Sequence, residues 1–164
     1  MFVLISVFNF NFNNIKSIFL IIVLGCLFYV PSQQYVTTEL SFINNDFTRF
    51  IKLIIVSLAL IINHISYSYQ ENNSLKLFEY PILTTFSLLG MLVMVSANDL
   101  MLLYVSIELQ SLSLYVLVAL RKDSLKSSEA ALKYFILGSI ASAVILYGAS
   151  MIYSVTGTTN YTLL

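Results

Sequence analysis

The chain has 164 residues, of which 59% are hydrophobic and only 10% charged, and its eight basic and eight acidic side chains leave a formal net charge of zero. A soluble domain carries about 25% charged residues, so there is too little polar surface here to cover a water-exposed sphere, and lipid must act as part of the solvent. Zero net charge supplies no basic patch for nucleic acid, and the single cysteine, Cys26, lies in an apolar run where it reads as a small apolar filler.

In lipid every backbone N–H and C=O must be satisfied internally, which leaves helices or a closed barrel. Barrel strands alternate apolar and polar residues over about ten positions. Ile18 to Val30 and Ile51 to Ile62 are instead continuously apolar. The expected fold class is an all-α membrane protein, a single domain over 1–164 built as a bundle of about five transmembrane helices, each needing ~20 mostly apolar residues.

The first predicted span covers residues 2–30 and stops before Pro31. The opening MFVLISVFNF has no basic region before its apolar stretch and no small-residue cleavage site, nor is it Arg-rich. It is expected to be retained as part of that span. Residues 31–46 form a polar loop. A second span follows at 47–69, and His64 lies near its end in the sequence Ile-Asn-His-Ile. A lone histidine there is either an interfacial residue or a member of a proton relay. After a loop with Gln70, Glu71, Asn72 and Asn73, the third span covers 80–97. Asn98-Asp99 is a short turn in which Asp99 suits an N-cap, and the fourth span covers 100–120. Arg121-Lys122-Asp123-Ser124 leads into the fifth, at 125–155, and the polar stretch GTTNYTLL comes last.

Basic residues in short loops orient the chain. Arg121, Lys122 and Lys126 cluster between the last two spans, so the positive-inside rule assigns that loop to the matrix or cytoplasmic side, together with the N-terminus. The residues used most, Ile, Phe, Asn, Tyr and Leu, mostly have AT-rich codons, which suits an organelle genome.

Two ionisable residues cannot be placed near water so easily. Glu108 lies about eight residues, or ~12 Å, into the fourth span, and Lys133 lies similarly deep in the fifth. A charge at such depth costs about 2.5–3.5 kcal/mol on insertion scales, so the default reading is functional. Tyr104, Ser111 and Tyr115 stand at i−4, i+3 and i+7 from Glu108 and form a polar stripe with it. Hydroxyls on such a stripe could donate to the carboxylate or hold waters in a relay. The alternative is a hydrogen-bonded Glu acting as interhelical glue. For Lys133 a second reading is equally open. Glu129 stands four residues before it, in the favoured order for an intrahelical ion pair, with Lys133 snorkelling toward the headgroups. Gly138 and Ser142 have small-xxx-small spacing and should pack closely on the Glu108 helix. No Cys/His cluster, phosphate-binding glycine loop or nucleophile elbow is present in the sequence, so no metal, nucleotide or hydrolase site is expected.

The stretches SANDLMLLYVSIELQSLSLYVL and SSEAALKYFILGSIASAVILYG resemble the subunit 2 family of NADH:ubiquinone oxidoreductase, respiratory complex I, and the likeness covers about half of the chain. It implies an antiporter-like subunit of the membrane arm. In that family the Glu of ELQSLSLY, here Glu108, serves at the proton-pumping site, and the Lys of EAALKYF, here Lys133, is a membrane-embedded lysine near it. The family's fifth and sixth helices would then be the fourth and fifth here, leaving the family's first helix unmatched. The later helices, with their central lysines, would lie beyond GTTNYTLL. A second polypeptide is expected to supply them.

The resemblance further implies a mitochondrial inner-membrane location and contact with other membrane-arm subunits and the lipid bilayer. No cofactor is expected on this chain; NADH, FMN, iron–sulfur clusters and ubiquinone would belong to other subunits. Proton translocation is the expected role, with a cation/proton antiporter subunit and a structural assembly remnant as the alternatives.

Overall fold

A computed structural model of the chain describes residues 41–72, 79–121 and 123–164. The predicted span 2–30 falls outside these residues. The described part is four helices, α1 Asp46–Asn72, α2 Glu79–Val95, α3 Leu100–Val118 and α4 Leu125–Thr156. They match the four later spans with ends shifted by a few residues. Three of them, over Asp46–Ser66, Leu100–Val118 and Leu125–Thr156, are long and apolar enough to cross a membrane. The fourth, α2, has 17 residues, or ~25 Å, at the short end of what spans a bilayer.

Each helix begins where the sequence suits the free backbone N–H groups of a first turn. Asp46 stands in the first turn of α1, where the helix dipole favours an acid. Pro81 falls in the first turn of α2, where its missing N–H removes no helical bond. Asp99 caps α3, its carboxylate accepting from the N–H of Met101 at 2.7 Å and of Leu102 at 3.4 Å. Ser124 caps α4 by accepting from Ser127 N–H. That helix stops at Gly157, whose φ of 70° is the left-handed geometry a glycine adopts without strain.

The helices run up and down in a row, and among the described residues each packs on its neighbours in sequence. Val56 and Leu88 are buried between α1 and α2, with Ile55, Ala59, Leu60 and Leu92 around them. Between α2 and α3 the approach is closer. A Cβ on Gly90 would lie 2.9 Å from both Ser106 O and Gln110 N, so only glycine admits the α3 backbone there. Ser87, Ser106 and Ser113 are buried along this seam. The hydroxyls of Ser106 and Ser113 donate to Leu102 O and Leu109 O one turn back, which settles them without a partner on the next helix.

One end of the row is tied by a polar clamp. Asn98 N–H donates to Ser41 O, Ile43 N–H to Ser96 O, Leu100 N–H to Thr159 O and Tyr161 N–H to Asn98 O. Thr159 donates its hydroxyl to Asp99 at 2.7 Å, and Asn98 donates to the Asn160 side chain. Burial and the nearby Asp99 charge hold the Tyr161 phenol above its ordinary range. The start of α1, the turn between α2 and α3, and the segment after α4 are thereby joined.

Candidate functional site

Glu108 sits in the middle of α3. Residues buried against α2 (Ser106, Ser113) define one side of this helix. At ~100° per residue, Glu108 lies about 140–160° around from them, on the side that carries Tyr104 and Tyr115. That side meets α4. The Tyr115 ring lies over Gly138, where a Cβ would overlap its hydroxyl. It also makes edge contacts with Tyr134 and Phe135, at centroid distances of 4.9 and 5.5 Å. Tyr104 OH is 3.5 Å from Ser142 Oγ, which donates to it. The small residues Gly138 and Ser142 are the places where the two tyrosines of the stripe are received, one by open space and one by a hydroxyl.

Glu108 is half-buried at the edge of this seam, and its carboxylate has no hydrogen-bond partner among the described residues. Directly beside it the α3 surface is open: Met101, Val105, Leu112 and Val116 are exposed. The carboxyl group therefore stands at the border between a packed helix seam and an apolar face. Ser111, the fourth member of the stripe, turns its hydroxyl back onto its own helix, to Ile107 O at 2.7 Å and Glu108 O at 3.2 Å.

Lys133 is placed differently. On α4 the α3-facing residues are Ala131, Phe135, Gly138 and Ser142, and Lys133 lies ~140° or more around the helix from Gly138. Its ammonium donates to Glu129 Oε1 at 2.5 Å, an i,i+4 pair whose side chains are 70% and 65% exposed. The structure therefore does not bring Lys133 and Glu108 together. His64 is exposed on α1, next to the buried Asn63, and joins neither group. Among the described residues, no group of three or more His, Cys, Asp or Glu side chains could hold a metal ion.

The polar clamp and Gly90 were not anticipated as positioning elements. The clamp joins residues about sixty apart in sequence, which no local pattern reveals. Gly90 carried a weak signal, as the one glycine in the third span.

Residues 97–164, which include Glu108, Lys133 and the clamp residues Asn98, Asp99, Thr159, Asn160 and Tyr161, match a family model described as NADH:quinone oxidoreductase/Mrp antiporter, transmembrane. The chain is 52% identical over 120 residues to the NADH-quinone oxidoreductase subunit N of Rhodobacter capsulatus, which covers 73% of this chain and 25% of that protein. With subunit N of Granulibacter bethesdensis it shares 47% identity over 123 residues, 75% of this chain and 26% of the relative. The chain thus spans about a quarter of the length of these relatives. Among solved structures it superposes on respiratory complex I from Thermus thermophilus with bound aureothin, with a TM-score of 0.75 and 28% identity over 90% of this chain and 32% of that one. It also superposes on an archaeal respiratory membrane complex, the membrane-bound sulfane sulfur reductase, with a TM-score of 0.76 over 96% of this chain and 35% of that one. At 23% identity that second likeness concerns the fold alone.

Proposed function

Because the chain belongs to the antiporter-like membrane subunits of NADH:quinone oxidoreductase, we propose that it forms part of the membrane arm of such a complex and contributes to proton translocation there. The observation that carries this reading is Glu108: a half-buried carboxyl in the middle of a spanning helix, without a hydrogen-bond partner among the described residues and bordered by an open apolar face. An ionisable group held at that depth is retained for its charge or its proton. Tyr104 and Tyr115 hold the α3–α4 seam on either side of it and keep the helix from rotating. Glu108 gains or loses a proton as neighbouring charges change, which couples remote quinone reduction to transport.

Lys133 and Glu129 form the second charged element of the same device, acting on the far face of α4 rather than on Glu108 directly. The chain carries no redox chemistry of its own, and NADH, flavin, iron–sulfur and quinone sites are assigned to other subunits. Its sequence composition favours an organelle-encoded protein of the mitochondrial inner membrane.

The test is proton pumping by the assembled complex in vesicles driven by NADH. Glu108→Gln is expected to lower the coupled rate by about fivefold or more, the lower end of couplings of ~1–3 kcal/mol, while the complex still assembles. If Glu108→Gln and Glu108→Ala both pump like the parent, the chain is a structural remnant. The matched family description also names Mrp antiporters, so a cation/proton antiporter subunit is the second reading. Purification of the chain without any redox subunit would favour it over the first.

A further inference from the structure

At the end of the row opposite the clamp, the helices diverge and leave a cavity of about 780 Å³, within the ~300–1,000 Å³ of ligand clefts. Its walls are apolar. Leu114, Leu117 and Val118 of α3 form one side and Ile65 of α1 the other. Three of the hydroxyls along it are engaged: Ser66 Oγ and Tyr80 OH are 2.9 Å apart, and Ser127 Oγ donates to Val118 O at 2.6 Å. Tyr134 adds a fourth hydroxyl to the lining. The cavity opens on the other side of α3 from Glu108, since Leu114 and Glu108 differ by ~120° around the helix.

The mouth is different. Arg121 lies on its rim, exposed and without an ion pair among the described residues. It belongs to a loop segment with Arg121, Lys122 and Lys126 against one acid, Asp123. The end of this cavity therefore stands at headgroup level, with an apolar slot reaching inward and a free guanidinium above it. We propose that the slot binds a membrane phospholipid with an anionic headgroup, its acyl chain lying along Leu114, Leu117 and Val118 and its phosphate held by Arg121. Basic pockets between helices on the cytoplasmic or matrix side take anionic lipid headgroups, and a guanidinium matches two phosphate oxygens at once. A neutral quinone tail would leave Arg121 unused, and a packed protein helix would have to bring its own carboxylate to it. The inference needs only membrane residence and stands whether or not Glu108 handles protons.

The experiment uses the membrane complex that contains this chain, reconstituted into nanodiscs of equal parts phosphatidylglycerol and phosphatidylcholine. After gentle return to detergent, the retained lipids are counted by mass spectrometry. The parent complex retains phosphatidylglycerol over phosphatidylcholine. Arg121→Gln lowers that preference about tenfold, as expected for a charge-assisted contact, and Arg121→Lys keeps most of it. Leu117→Trp fills the slot and releases the lipid. Because Arg121 is exposed, its two variants decide the matter even where Leu117→Trp fails to assemble. Equal retention of both lipids by the parent, an unchanged ratio in Arg121→Gln, or a protein segment seen in the slot by cryo-electron microscopy would each overturn the proposal.

Discussion

A single methyl group is enough to probe how closely these helices approach. At Gly90 an added Cβ would meet two α3 backbone atoms at 2.9 Å, and backbone cannot step aside without moving the whole helix. Gly90→Ala should therefore cost about 1–3 kcal/mol, the range of core overpacking. At Gly138 the obstacle is the Tyr115 ring, reached within 3.0 Å by three of its atoms. That ring is hemmed in by Tyr134 and Phe135, so Gly138→Ala is also unfavourable. Its effect should be less than additive with Tyr115→Leu, because removing the ring removes the clash. Gly148 meets nothing within 4 Å, and Gly148→Ala should be neutral or gain up to ~1 kcal/mol in helix propensity. Thermal unfolding of the solubilised complex would rank the three. An order other than Gly90 worst and Gly148 mildest would contradict the packing described here.

Among the elements, α3 is the one whose position matters for Glu108, and Asp99 fixes its start. The same carboxylate caps two amides and receives the Thr159 hydroxyl. Asp99→Ala loses both, with the cap alone worth ~1 kcal/mol. Asp99→Asn keeps an oxygen for the cap but replaces the acceptor that Thr159 uses. Hydrogen exchange of the Met101 and Leu102 amides should accelerate strongly in the first variant and weakly in the second. Equal rates in both would mean the cap is not what holds the helix start. The elements themselves were legible from apolar runs and loop chemistry, and the predicted 100–120 and 125–155 lie within a few residues of α3 and α4. The third span ends at Val95 rather than at residue 97, because Ala97 pairs with Phe42 in an isolated bridge. No pattern around residue 97 reports a partner more than fifty residues away. Likewise, the sequence marked Glu108 and Lys133 as charges at membrane depth. It did not place Lys133 on the far side of α4, which depends on how Gly138 and Ser142 turn that helix toward α3.

At the scale of the whole chain, very little is buried. Val56, Leu88, Ala131 and Ala149 are the hydrophobic residues in the interior of the described part, while Leu137, Ile140, Val144, Tyr147 and Met151 of α4 are exposed. With 32 residues α4 is ~48 Å long, well beyond the ~30 Å hydrocarbon layer. Its start is level with the end of α3, because Ser127 bonds Val118. Lys133 is six residues, ~9 Å, further in, and reaches back one turn to Glu129. On a surface facing water such a pair would be worth ~0–1 kcal/mol. If the proposed membrane-arm placement holds and further helices cover the apolar face of α4, the pair becomes enclosed, and removing one partner then leaves an uncompensated buried charge costing ~3–5 kcal/mol. Lys133→Met should accordingly lower the thermal stability of the complex far more than an exposed pair allows. Glu129→Gln with Lys133→Met should recover most of that loss, since no lone charge remains. Pumping separates structure from function: if the pair takes part in coupling, the double variant regains stability but not the coupled rate. Recovery of both would reduce the pair to a structural contact and leave the proposed proton handling to Glu108.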